Sequence, residues 1–230
     1  LESLPCAGFE RVSQGRTLFV FDCGKMPDAP YDTIANNAPL SFEMNYGKHR
    51  VFVNCGSHPN DVDWRNALSG VAAHNALSID NSHISAHYAV RSSREESKQA
   101  CLLDATHEGY FADQGFAHTR RIYMCNDGHD IRGEEILEAQ DILRTAADIC
   151  IRFHLHPSVT ASLINNGQEA LIRLPGGVGW RFKHYGGRLL LEDSVYMGEG
   201  AQPRKTKQLV VIGQVYETYN QFKWCLRKEG

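Results

Sequence analysis

Between His107 and Arg121 the chain gathers His107, Tyr110, His118 and Arg121, an imidazole, phenol and guanidinium set in one short segment. Such groups donate hydrogen bonds and pair a planar carboxylate, the chemistry an acidic sugar requires. Gly109 and Gly115 read as marks of an exposed loop, where binding residues tend to sit; a loop with a structural tyrosine and solvated charges fits the same residues. His74-Asn75 precedes an apolar run, so His74 is either a donor on an active wall or a cap on its connector. His154 and His156, two apart on a strand pattern, share one face. With Pro157 following and no Asp or Glu at ligand spacing, they read as a solvated strand end rather than a metal pair. Trp64, in a polar connector, is the tryptophan free to stack on a sugar; Trp180 and Trp224 sit in strand patterns and read as core. Gly176-Gly177-Val178-Gly179 lacks the Lys-Ser or Lys-Thr and the helix of a phosphate cradle and reads as a hairpin turn. No G-x-S-x-G occurs, which leaves nucleophilic hydrolase chemistry without its motif.

Strands must position these groups. Leu40, Phe42 and Met44 alternate with Ser41, Glu43 and Asn45, then Tyr46-Gly47-Lys48 turns the chain into Val51, Phe52 and Val53, which predicts a hairpin. Ser13-Gln14-Gly15, Asn126-Asp127-Gly128, Asn165-Asn166-Gly167 and Tyr185-Gly186-Gly187 likewise separate apolar or alternating runs. Strands are expected at 9–12, 18–23, 40–45, 51–54, 76–79, 99–105, 119–125, 131–137, 149–154, 160–164, 170–174, 180–184, 189–196 and 208–215, with a last one near 222–226. Only 63–74 and 138–147 suit short helical turns, and 91–98 reads as an exposed loop. So many strands in 230 residues predict an all-β fold, a large two-sheet antiparallel β-sandwich forming one domain over 1–230.

Composition narrows the function classes. A formal net charge of -3 with scattered basic residues gives no field for nucleic acid, and no apolar run approaches the ~20 residues of a membrane span. The seven cysteines, odd in number and without a C-x-x-C pair, read as reduced. A start at Leu1 with no leader pattern suggests a piece of a longer protein.

Six strings in order along the chain carry a resemblance. They are Gly8-Phe9-Glu10-Arg11 with Phe19-Val20-Phe21-Asp22-Cys23-Gly24; Leu40-Ser41-Phe42-Glu43 with Val51-Phe52-Val53-Asn54-Cys55-Gly56; Ala73-His74-Asn75; His107-Glu108-Gly109-Tyr110 with His118-Thr119-Arg120-Arg121; Arg152-Phe153-His154-Leu155-His156-Pro157; and Gly176-Gly177-Val178-Gly179-Trp180. Together they resemble the C-terminal domain of the heparinase II/III-like polysaccharide lyases. The resemblance implies a β-sandwich beside an N-terminal α-toroid in the parent protein, with uronic-acid polysaccharide bound between them. In such lyases a tyrosine or histidine takes the C5 proton, Asn, His or Arg groups neutralise the carboxylate, and β-elimination follows. On that basis His74 is the expected catalytic residue, and Asn36, Asn75, His107, Tyr110, His118, Arg121 and Trp64 the expected substrate-binding residues.

The chain departs from the family pattern where relatives carry histidines and aspartates before the Leu-Ser-Phe segment and an aspartate on the next strand. Asn36, Ala38 and Asn54 stand there, so only His74 remains of a zinc set; no metal and no cofactor are expected. Most catalytic groups belong to the toroid, so the isolated domain is expected to be inactive, and a non-catalytic carbohydrate-binding or structural module is the alternative. The expected partners are an acidic glycan and the toroid. Sparse Lys/Arg clusters suit a uronan less charged than heparin. The family suggests the bacterial cell envelope or periplasm; the unpaired cysteines suit a cytoplasmic address.

Overall fold

The computed structural model describes residues 3–4, 8–28, 35–80, 84–85, 88–139, 146–200 and 202–230. Seventeen strands are present among them. β1 (Ser3–Leu4), β2 (Phe9–Gln14), β3 (Thr17–Asp22), β4 (Phe42–Tyr46) and β5 (His49–Phe52) form a five-stranded antiparallel sheet in that order. β6 (Leu77–Ile79), β11 (Ala147–His154), β15 (Arg188–Tyr196) and β16 (Arg204–Val215) form a four-stranded sheet ordered β15-β16-β11-β6. The eight-stranded sheet runs β12-β13-β14-β17-β10-β9-β8-β7. Its strands are β7 (Val90–Glu96), β8 (Ala100–Tyr110), β9 (Phe116–Cys125), β10 (Asp130–Ala139), β12 (Thr160–Ile164), β13 (Glu169–Arg173), β14 (Gly179–Tyr185) and β17 (Tyr219–Lys228).

The two smaller sheets act as one layer. Phe52 bridges Leu155, Val53 N–H donates to the His154 carbonyl at 3.0 Å, and His156 N–H donates to that of Val51 at 3.1 Å. β5 is thereby joined edge to edge with the end of β11, and the nine strands lie over the eight. Aromatic rings fill the space between: Phe42 stacks on Trp224 at 5.6 Å, and Phe153 meets Phe182 at 4.8 Å and Trp224 at 5.1 Å. Gly133 sits opposite Trp224 in the β10–β17 register, and a Cβ there would lie 1.9 Å from the indole, so only glycine lets the ring lie flat across the strand. The layers also dock through two of the expected turns. Gly15 (φ 56°) and Gly128 (φ 69°) meet backbone to backbone, and a Cβ on Gly128 would lie 2.2 Å from the Gln14 carbonyl oxygen.

The sandwich and nearly all strand positions match expectation; the differences have physical causes. The segment read as an exposed loop at 91–98 is mostly β7, an edge strand. Its charged residues protect an open edge from further pairing, and Arg94 pairs with Glu10 of the other layer at 2.9 Å. The helical turn expected at 63–74 is α1 (Val62–Ser69), N-capped by Asp61, whose carboxylate accepts from Trp64 N–H at 3.0 Å, followed by one 3-10 turn at Val71–Ala73. Of the second expected turn, 138–139 continue β10 and Ala147 opens β11, while 140–145 lie outside the described residues. Cys23, Cys55, Cys125, Cys150 and Cys225 are free thiols; Cys6 lies outside the described residues.

Inside this apolar space sits an ion pair. Arg120 of β9 and Glu135 of β10 are both fully buried and bonded Nε to Oε1 at 2.7 Å. The same Oε1 accepts from Trp224 Nε1–H at 3.0 Å, and Arg120 Nη1 donates to the carbonyls of Leu40 at 2.5 Å and Asn75 at 2.7 Å. Leu40 holds φ 58°, a left-handed conformation costly for a branched side chain, and its carbonyl is anchored by that guanidinium. Replacing Arg120 with Met strands a buried carboxylate and two carbonyls, so urea denaturation is expected to show a loss of about 3–5 kcal/mol. Arg120→Met with Glu135→Leu is expected not to recover it, because Leu40, Asn75 and Trp224 remain without partners; full recovery would show that the pair is replaceable packing.

Candidate functional site

A crevice of about 280 Å³ opens where β3 ends, lined by Phe9, Asp22, Gly24, Lys25, Asn36 and Tyr88 among others. Alternation puts Phe19 and Phe21 of β3 in the core, and Asp22 leaves the strand half-buried. One Asp22 carboxylate oxygen accepts from Gly24 N–H at 3.1 Å. Burial outweighs that bond and raises the Asp22 carboxyl to about 6. The Tyr88 phenol is pushed upward by burial and by the charge of Asp22, so it serves as a hydrogen-bond donor rather than a base. Asn36 is exposed at the mouth, and its neighbour Asn37 ties this segment to Ile84 through Nδ2 at 2.7 Å and to Ser69, at the end of α1, through its N–H at 3.0 Å. Carboxylate, amide, phenol and ammonium thus surround an edge of apolar surface from Phe9, a lining that accepts and donates to hydroxyl groups while an aromatic face meets C–H.

Beneath the crevice the Tyr88 ring packs on His107 at 5.6 Å. His107 Nδ1 accepts from Gly109 N–H at 3.1 Å, so its Nε2–H donates to His118 Nδ1 at 3.0 Å, and His118 Nε2–H donates to Glu135 Oε2 at 2.7 Å. One direction of donation satisfies every member with both imidazoles neutral. Burial lowers both histidines, and Glu135 is held down at about 2 by Arg120 and His118 against its own burial.

That arrangement corrects the expectation of an exposed loop at 107–121. His107 and Tyr110 belong to β8, His118 to β9, and all three point inward with 1% exposure or less; the Tyr110 hydroxyl donates to the Leu77 carbonyl at 2.7 Å. Asn75 is fully buried, joining the layer through Nδ2 to the Phe42 carbonyl at 2.8 Å and Oδ1 from His154 N–H at 2.5 Å. Asn54, which stands where relatives carry an aspartate, accepts from Asn75 N–H at 2.9 Å. His74, expected on an active wall, is 2% exposed and caps the connector, donating Nδ1–H to the Gly70 carbonyl at 2.8 Å. Its Nε2 is buried with no partner among the described residues, and burial lowers its pKa. His107 and His118 are core because the intervening residues of their strands take the solvent face, whereas His74 and Asn75 are held inside by hydrogen bonds made from the connector.

Three of the expected binding residues do reach the surface, at three separate places: Asn36 in the crevice, Trp64 on α1 with 36% exposure, and Arg121 on the outer face of β9 between Asp104 and Glu134. Trp180 and Trp224 are core, as expected. His154 accepts from Ser194 Oγ at 2.7 Å and donates to the Ala72 carbonyl at 3.1 Å, whereas His156 bonds Ser158 and, at 3.2 Å, Glu199. They turn to different partners instead of one ion, and among the described residues no group of three or more His, Cys, Asp or Glu is placed to hold a metal. Asp22 and Tyr88 escaped sequence reasoning; the one signal for Asp22 was a carboxylate following the apolar alternation of Phe19 and Phe21.

Comparison with known proteins places this geometry. The family model described as heparinase II/III-like, C-terminal, matches residues 1–225. A Caulobacter vibrioides protein named FtsZ-localized protein C is 26% identical over 99% of this chain, which spans 43% of that protein. Among solved structures, the heparan sulfate lyase HepC from Pedobacter heparinus superposes with a TM-score of 0.81 at 13% identity, over 96% of this chain and 35% of that one. A second, titled heparinase III, gives 0.75 at 14% identity, over 96% and 35%. The chain therefore spans less than half the length of each of these three proteins.

Four buried histidines, His74, His107, His118 and His154, have pKa values lowered by burial. Unfolded, each takes up a proton as pH falls through about 6.5, so each contributes stability at neutral pH that acid removes. Asp22 opposes them: with its carboxyl raised to about 6 from 3.8, the folded state holds the extra proton between those values, and its contribution declines as pH rises through that window. Four groups against one make the expected net effect a loss of stability as pH falls from neutral towards 5. Urea midpoints measured between pH 7.5 and 5 check this; a flat profile would mean the imidazoles are not held neutral.

Proposed function

The chain belongs to the heparinase II/III-like C-terminal family, and from that premise we propose that it forms one wall of a glycan cleft in a longer protein, binding a uronic-acid-containing polysaccharide at the Asp22–Asn36 crevice. The observation that carries this reading is the crevice itself. It holds a carboxylate, an amide, a phenol and an ammonium, and the amide, Asn36, stands just before the Leu40-Ser41-Phe42 segment, where the resemblance puts substrate-facing groups.

The wall holds the sugar while the proton-abstracting group comes from outside it. His74 is buried, Tyr88 is a donor, and Asn36 and Ala38 occupy positions where relatives carry histidine and aspartate. In the parent, β-elimination would take the C5 proton of the uronate and expel the O4 substituent, leaving an unsaturated sugar. Asp22 and Asn36 would orient the ring by accepting from and donating to its hydroxyls.

Titration of this chain with a panel of uronans is expected to show binding that weakens about tenfold in Asp22→Asn, the loss of one charge-assisted hydrogen bond. The parent protein incubated with the same panel is expected to generate ultraviolet absorbance from unsaturated uronate. Binding without absorbance on any substrate would reduce the domain to a carbohydrate-binding module, and no binding by chain or parent would remove the glycan reading.

The Caulobacter relative is named for localisation with FtsZ. If that address extends to this chain, a fluorescent fusion of the parent is expected to coincide with FtsZ in the cell; an even envelope distribution would confine the property to the relative.

A further inference from the structure

We propose that the outer face of the eight-stranded sheet carries a second saccharide site, a groove across β9, β10, β17 and β14 that takes a carboxylate-bearing oligosaccharide. The groove encloses about 490 Å³ and shares no lining residue with the crevice. Strand register composes it of two rows. Tyr123, Arg132, Cys225 and Lys183 stand opposite one another in turn, and Arg121, Glu134, Lys223 and Tyr185 form the next row. Three inter-strand intervals make each row about 14 Å long, the scale of an oligosaccharide rather than one sugar.

Charge selects the ligand. Four cations and one carboxylate, Glu134, line the groove, while Asp104, Asp130 and Glu169, which pair with Arg121, Arg132 and Lys183, stand outside the lining. Those cations are about half exposed while their carboxylate partners are more shielded, and pairs open to solvent on the cation's side are weak. An incoming carboxylate can take over a cation at little cost. Aromatic surface supplies the rest. Tyr185 is 74% exposed, the most of any large hydrophobic side chain among the described residues. The Tyr123 ring holds the Arg132 guanidinium at 5.1 Å. Tyr219, 47% exposed, extends the strip along β17. Exposed tyrosines offer a ring to a sugar's C–H face and a hydroxyl to its oxygens. Arg121, singled out from sequence, thus finds its place here and not at the crevice.

The ligand class rests on the glycan reading above; the site rests on its own residues. The test is calorimetric titration of the chain with tetragalacturonate and with uncharged cellotetraose, comparing wild type, Tyr185→Ala with Lys183→Gln, and Asp22→Asn. All three substituted residues lie at the surface or at the crevice, and unchanged urea midpoints for the Tyr185/Lys183 variant confirm its fold. The expected result is tetragalacturonate binding weakened at least tenfold by the Tyr185/Lys183 change, weakened further by added salt, and absent for cellotetraose. Loss with the Tyr185/Lys183 change but none with Asp22→Asn supports the groove and removes the crevice. Loss with Asp22→Asn alone overturns the groove and leaves the crevice standing, and equal binding of cellotetraose, or no binding of tetragalacturonate, also overturns it.

Discussion

The buried guanidinium of Arg120 ties the two layers together at the centre of the core. Its carboxylate partner Glu135 lies on the neighbouring strand of the same sheet and meets Nε, while Nη1 reaches the carbonyls of Leu40 and Asn75 across the core. Removing either member strands the other, and removing both leaves the Leu40 and Asn75 carbonyls and the Trp224 N–H without partners, so the pair tolerates neither change. Its value here is geometric. Leu40 turns the chain into β4 through a left-handed conformation, and Asn75 positions the connector into β6 while bonding β4 and β11.

The same pair organises the histidines. With Glu135 ionised and occupied by Arg120 and Trp224, His118 must donate to it, and His107 must in turn donate to His118. Neutral imidazoles are then the only ones the core can accept, because a further buried positive charge beside Arg120 would have no counter-ion. The family resemblance drew attention to these histidines as substrate groups. Their burial makes them the support on which Tyr88, and through it the crevice, is seated.

Much of the fold was legible in the chain. Period-two alternation and glycine turns marked most strands, and Gly15 and Gly128 took the positive φ that their turn positions implied. β7 offers no apolar alternation to read, because the residue it turns toward the other layer is the charged Arg94. The site was less legible. Chemistry-bearing residues on β8 and β9 were read as exposed because glycines flank them, yet a strand buries every second residue whatever its polarity, provided each polar atom finds a partner. Glu135, fifteen residues beyond Arg120, and Glu199, forty-three beyond His156, are such partners; no local pattern announces them.

Sequence alone determined the all-β class, the hairpin boundaries, the placing of Trp180 and Trp224 in the core and the family, since these follow from local alternation, turn chemistry and ordered strings. Only the tertiary structure decided which polar residues meet solvent. His74, His107, Tyr110 and His118 went inside and Asp22, Arg121 and Tyr185 went to walls and faces. Inward or outward direction depends on strand register, and the bonds that make burial tolerable come from residues distant in the chain.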